Sequence, residues 1–223
     1  MKIVDNFLNI RQSIPSDVKI VAVSKLKSLE DILCLYNNTG HRIFGESRAQ
    51  ELVVKNENIN IEDIQWHFIG NFQTNKVKQI LPIITLTHSV SNVRLLNTIN
   101  KVASNNNFKA KCLLQFHIAE EETKQGFDID EVLKLFDKDF FAKYPNVEIE
   151  GVMGMATFTD DEIAIAKEFK LLRSYFDILK NEFFSDRDSF SEISMGMSND
   201  YKIAIAEGST MVRIGSSIFG ERN

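Results

Sequence analysis

Eight short apolar runs, most of them rich in β-branched or aromatic residues, recur along the whole chain with helix-periodic or polar segments between them. They are VKIVAVSK (18–25), RIFGES (42–47), WHFIG (66–70), LTHSV (86–90), KCLLQFHI (111–118), VEIEGVMGM (147–155), EISMGM (192–197) and MVRIGSSIFG (211–220). Residues 28–37 begin with a serine and carry Leu29, Ile32, Leu33 and Tyr36 at helical spacing. Residues 91–104 do the same with Val93, Leu96, Ile99 and Val102. The spacing predicts a short helix over 75–81, longer amphipathic helices over 128–141 and 160–184, and a helix over 198–206 that opens with a serine and closes at Gly208. Strand–helix alternation predicts a parallel sheet with crossover helices, and eight units predict a closed (β/α)8 TIM-type barrel. An open doubly wound sheet is the alternative. The first dozen residues read as an extra N-terminal helix packed on the bottom or side of the barrel. No linker, low-complexity tract or fixed-period repeat divides the 223 residues, so one domain over 1–223 is expected.

In such a barrel, chemistry is done where the strands end. VAVSK ends the first strand at Lys25. A primary amine in a partly dry pocket is nucleophilic, because desolvation lowers its pKa, and it can form a Schiff base with an aldehyde. The last two strands end in SMGMSND (194–200) and VRIGSSIFG (212–220). Ser198 stands at the expected start of a helix, and Gly215, Ser216 and Ser217 follow strand eight. Glycine permits close backbone approach, hydroxyls donate hydrogen bonds, and a helix start adds a positive field. The loops after strands seven and eight frequently hold a phosphate in such barrels, and that is the expectation here. In the plainer reading Ser198 is only a helix cap and Gly215 only a turn.

Arg213 shares a strand face with Gly215. An arginine inside an apolar strand is costly unless it is paired. Either it pairs with a barrel carboxylate such as Glu46 or Glu150, or it meets the ring nitrogen of a bound heterocycle. Ser47 and Arg48 stand at the end of strand two, with Glu46 and Glu51 placed to cap or pair. His67, between Trp66 and Phe68, reads as a hydrogen-bonded core residue. His41, His88 and His117 lie at no metal-ligand spacing, so no metal is expected. Met153, Met155, Met195 and Met197 read as core or pocket wall. The acidic stretch 119–126 reads as a solvated loop.

Net charge −5 and scattered Lys and Arg argue against a nucleic-acid partner. Two distant cysteines, Cys34 and Cys112, read as buried, reduced thiols of a cytoplasmic protein. No signal peptide or membrane span is expected.

VAVSK, FGESRAQE, WHFIGNFQTNK, SMGMSND and GSTMVRIGSSIFG, in this order between residues 21 and 220, resemble the signature segments of the pyridoxal phosphate homeostasis proteins. These are short, single-domain relatives of the barrel half of alanine racemase. The resemblance implies a fold-type III barrel that holds pyridoxal 5′-phosphate (PLP) as an imine on Lys25. It implies phosphate contacts from Ser198, Gly215 and Ser216, with Arg213 at the pyridine nitrogen. The family usually has asparagine after FGE, beside the cofactor ring. Here that residue is Ser47, shorter and without an amide, whose contact would pass through water. IGNFQ replaces the more usual IG-x-LQ, one apolar residue for another.

Arginine cannot accept a proton, so it would leave the ring nitrogen unprotonated and the ring a weaker electron sink. Alanine racemase shares that arginine, so length decides more. Racemisation needs bases on both faces of the substrate, and this chain lacks the second domain that brings the other one. Of Tyr36, Tyr144, Tyr175 and Tyr201, the first three stand at no expected strand end. The expectation is therefore a monomeric PLP-binding protein with no strong catalysis, which buffers or delivers PLP, with PLP-dependent apoenzymes as candidate recipients. One alternative is a weak PLP-dependent racemase or decarboxylase. The other is an enzyme of phosphorylated sugars or heterocycles in which Lys25 forms imines with substrate.

Overall fold

The computed structural model describes residues 2–59, 61–120, 125–137 and 139–221. All eight expected strands form: β1 (Lys19–Val23), β2 (Ile43–Glu46), β3 (Gln65–Phe68), β4 (Leu86–Val90), β5 (Ala110–Gln115), β6 (Val147–Met153), β7 (Glu192–Met197) and β8 (Met211–Ile214). They pair in chain order as one closed parallel barrel. The seam is the β1–β8 ladder, from Lys19 opposite Met211 to Ala22 opposite Ile214, and it excludes an open doubly wound sheet.

The helices are α1 (Lys2–Ser13), α2 (Leu29–Thr39), α3 (Ala49–Asn58), α4 (Thr74–Ile80), α5 (Val93–Asn105), α6 (Ile129–Leu135), α7 (Phe140–Lys143), α8 (Glu162–Phe183), α9 (Tyr201–Ala206) and α10 (Ser216–Phe219). Ser28 caps α2 in a reciprocal capping box with Asp31, and Asp128 does so for α6 with Glu131. Asn92, one residue past the expected Ser91, caps α5 by accepting from the Leu95 N–H.

Strand alternation sends residues to two dry layers. One face fills the bore, where Val21, Leu86, Leu113, Met153 and Met211 form their own apolar cluster. The other face meets the helices, where Phe44, Trp66 and Phe68 join the main core. Each such side chain contributes about 1.5–3 kcal/mol when fully buried. The N-terminal helix lies on the barrel's side: α1 packs against α2 and α10, and Asn6 Nδ2 donates to the Ile218 carbonyl at 3.0 Å. It stands beside the seam, where β8 is followed by the four-residue α10.

Three expectations need correction. The helix expected over 128–141 is two. Phe136 leaves the helical path, its ring lies 4.0 Å from that of Phe140, tilted by 33°, and contacts Phe183 and Phe184, and the Asp137 carboxylate accepts from the Asp139 N–H in the intervening turn. The helix expected over 198–206 begins only at Tyr201, because the Asp200 carboxylate accepts from the Met197 N–H and closes a turn first. The strand expected over 211–220 ends at Ile214, and residues 216–219 are helical. Of the acidic loop expected over 119–126, residues 121–124 lie outside the described residues.

Candidate functional site

The carboxyl ends of the strands open into a cavity of about 390 Å³, a size suited to a small molecule. Lys25, Ser47, Ser198, Arg213, Gly215 and Ser216 all line it. Each is delivered by a different route. Lys25 follows β1 by two residues and is half-buried. Ser47 follows β2 directly, while its neighbour Arg48 is exposed and opens α3 without a side-chain cap bond. Ser198 sits in the turn after β7. Gly215 and Ser216 follow β8, where the Gly215 N–H donates to Ser198 Oγ at 3.2 Å. That bond ties two loops into one corner. The Ser198 and Ser216 hydroxyls stand there with the local backbone amides, a donor set that suits an anionic oxygen cluster.

Arg213 forms the floor and is 4% exposed. Neither carboxylate considered for it is its partner. Glu46 points to the helix layer and pairs with Lys55 at 2.7 Å, and Glu150 pairs with Lys111 at 2.6 Å. Arg213 Nη1 instead donates to the Ser194 carbonyl (2.8 Å) and Oγ (2.6 Å), and Nη2 to the Gly154 carbonyl (3.0 Å). These bonds use three of its five donors. Burial lowers its pKa to about 10, opposed by the nearby Asp200 carboxylate, so it stays cationic at neutral pH.

Behind Ser194 runs a buried chain. His88 Nδ1 lies 2.9 Å from Ser194 Oγ, and His88 Nε2 lies 3.0 Å from His67 Nδ1. Arginine only donates, so Ser194 Oγ accepts from it and gives its own proton to His88 Nδ1. His88 then carries its proton on Nε2 and donates to His67 Nδ1. Burial holds both imidazoles neutral, His67 down to about 3 and His88 well below its usual range, with the Arg213 charge adding to the latter. Every proton in the chain therefore points away from the guanidinium, and every acceptor points toward it.

His67 is thus the hydrogen-bonded core residue expected, whereas the roles of His88 and Ser194 were not anticipated. A signal existed: both histidines occupy central, same-face positions on adjacent strands. Glu168 was also missed. This buried carboxylate accepts from the Thr157 N–H (2.6 Å) and hydroxyl (2.7 Å) and from the Glu120 N–H (3.2 Å), and so pins the β6–α8 loop at the cavity wall. Met155 and Met197 line the cavity, while Met153 and Met195 are core. Cys34 is half-buried and Cys112 buried, both as free thiols. Among the described residues, no three His, Cys, Asp or Glu side chains group as metal ligands, and no helix is long and apolar enough to cross a membrane.

The family of the alanine racemase N-terminal domain matches residues 1–223, the whole of this closed barrel. A pyridoxal phosphate homeostasis protein of Aquifex aeolicus is 36% identical over 204 residues, 92% of this chain and 87% of that protein. The chain belongs to the pyridoxal phosphate homeostasis protein family. The structure of PipY from Synechococcus elongatus with PLP bound superposes with a TM-score of 0.88 at 27% identity, covering 98% of this chain and all of that one. Alanine racemase of Clostridium difficile shares the fold, with a TM-score of 0.76 at 16% identity over 99% of this chain and 56% of that one.

Proposed function

We propose that this chain, as one domain over 1–223, binds PLP and serves PLP homeostasis by holding and releasing the cofactor. The observation that carries this reading is that one cavity gathers an amine, an arginine and a hydroxyl–amide corner. PLP supplies an aldehyde, with which the Lys25 amine condenses to an imine with loss of water. Ser198, Gly215 and Ser216 receive the phosphate. Arg213, held by Ser194 and Gly154, directs a donor at the pyridine nitrogen. Ser47 faces the ring's edge through water. The carrier acts as a monomer in the cytoplasm and hands PLP to PLP-dependent apoenzymes.

The cavity wall supports holding over turnover. Among the described lining residues there is no tyrosine, cysteine or histidine to serve as a second base across from Lys25. Tyr36 is bonded to Asp63 at the surface, and the buried Tyr144 to Asn97. Arg213 can only donate, which would leave the ring nitrogen unprotonated and the ring a weaker electron sink.

The test is the absorbance spectrum of purified protein titrated with PLP. Wild type is expected to develop a visible imine band that borohydride removes, leaving a reduced adduct on Lys25 by mass spectrometry. Lys25→Ala is expected to lose the band entirely. Absence of the band in wild type would exclude the PLP reading. Steady turnover of D- or L-amino acids that Lys25→Ala abolishes would overturn the non-catalytic part and favour a racemase or decarboxylase.

A further inference from the structure

The segment that carries Lys25 is conformationally costly. Leu26, the next residue, has φ 62°, a left-handed conformation that leucine avoids. Its side chain is 51% exposed, so packing does little to hold it there. Such a conformation persists only where the surroundings over-determine it.

The surroundings are a turn, closed by the Lys27 N–H on the Ser24 carbonyl at 3.0 Å, and behind it a buried charged cluster on the far side of the barrel wall. Lys55 of α3 is 5% exposed. Its ammonium donates to the Ser24 carbonyl, to Glu46 Oε1 and to Glu51 Oε1, each at 2.7 Å, and so uses all three of its protons. Glu51 Oε1 also accepts from the Leu26 N–H at 2.6 Å. Ser24 Oγ donates to Glu46 Oε1 at 2.6 Å, and the Ser24 N–H donates to the Gly45 carbonyl at 3.0 Å. The residues on both sides of Lys25 are therefore bonded to one ammonium–carboxylate group. A buried ion cluster adds little stability over a well-packed apolar replacement. What an apolar replacement lacks is direction: it aims no donor at Ser24 and holds no acceptor under Leu26.

We infer that Lys55 and Glu51 are positioning residues for Lys25: they clamp its two neighbours, hold Leu26 left-handed and so aim the Lys25 amine into the cavity. This rests on the reading of Lys25 as the PLP-bearing residue. Removing either clamp lets residue 26 relax to an ordinary conformation, and the amine turns with it.

The test compares Lys55→Met, Glu51→Ala and each of these combined with Leu26→Gly, which takes φ 62° without support. Lys55→Met and Glu51→Ala are expected to keep the wild-type circular dichroism spectrum and to form the PLP imine with a constant five- to tenfold lower. Adding Leu26→Gly is expected to recover most of that loss, which general damage to the fold would not allow. In protein without PLP, hydrogen exchange at the Leu26 amide is expected to be at least tenfold faster in both single variants. Imine formation and amide exchange within twofold of wild type, or no recovery with Leu26→Gly, would overturn the inference. If Lys55→Met does not fold, Glu51→Ala, at the partly exposed edge of the cluster, decides. Wild type without an imine band would end the PLP reading itself, and an unchanged Leu26 amide in the variants would then also end the clamp.

Discussion

Gly151→Ala is expected to lower the free energy of unfolding by more than about 4 kcal/mol, near the upper end of single-residue effects. Gly151 lies in β6 opposite Glu192 of β7, with φ 152°. A Cβ there would stand 1.8 Å from the Glu192 carbonyl oxygen and 2.7 Å from its carbon. Those atoms are backbone and have no rotamer through which to retreat. The Glu192 side chain, moreover, is held by Lys19 of β1 and by Thr210. Relief therefore means parting β6 from β7, which reopens the barrel. Against a typical total of about 5–15 kcal/mol, that loss leaves little folded protein. Gly40→Ala is the control: φ there is also positive, at 73°, but nothing lies within 4 Å of a Cβ, and the expected cost is about 1–2 kcal/mol. Urea unfolding of the two variants gives the comparison. Equal costs, or a Gly151→Ala cost below about 1 kcal/mol, would contradict the strand approach.

Acidification is expected to destabilise the protein steeply from just below pH 6.5. Burial is the main cause of the lowered pKa of His67 and His88, seconded by Lys19 and His41 for the first and by His67 and Arg213 for the second. An unfolded histidine takes its proton near pH 6.5, whereas folded His67 waits until about 3. Between those values the unfolded state holds more protons, so stability falls as pH drops. In that window each buried neutral histidine removes up to about 1.4 kcal/mol per pH unit, and His41, lowered by its own burial to about 4, adds to the pair in the same sense. Glu46 acts in the opposite sense. Burial raises its carboxyl, so the folded state gains a proton there first and offsets a smaller part of the loss. Urea midpoints from pH 7.5 to 5, with proton uptake on unfolding measured at pH 5.5, test this. A net uptake of about two to three protons is expected, from His41, His67 and His88 less the Glu46 offset. A flat stability profile would mean that the histidine chain is open to water or already charged.

The barrel was legible because its strands are buried on both faces and read as apolar runs, separated by segments of helical period. VAVSK and LTHSV needed nothing beyond that pattern. Element ends were less legible, since local side chains decide them. Ser198 has the residue type of a helix cap, yet Asp200 captures the Met197 N–H and moves the helix start to Tyr201. Phe136 has helical spacing, yet a cluster of four further phenylalanines and Tyr144, in and just past α7 and α8, outweighs one more helical turn. Among the candidate site residues, glycine and serine at strand ends led directly to the cavity corner. Arg213 was conspicuous as a cation in an apolar strand, but its partners were not. Ser194 lies 19 residues away and shows its role only through His88, which is 106 residues from it. Pairings of that range follow from barrel stagger, which no local pattern encodes.

The seat of α1 bears on the order in which the chain acquires its structure. Asn6 reaches a carbonyl 212 residues downstream, and β1 finds its second neighbour only in β8. On a ribosome, both partners emerge long after α1 and β1 do. Until then, the part of α1 that α10 covers and the β8-facing edge of β1 stay open, and an uncovered strand edge invites pairing with other chains. Closing so long a loop is also slow, because its entropy must be lost before any contact repays it. The seam is thus expected to close last, and a nascent chain halted before Met211 carries β1 with one edge open.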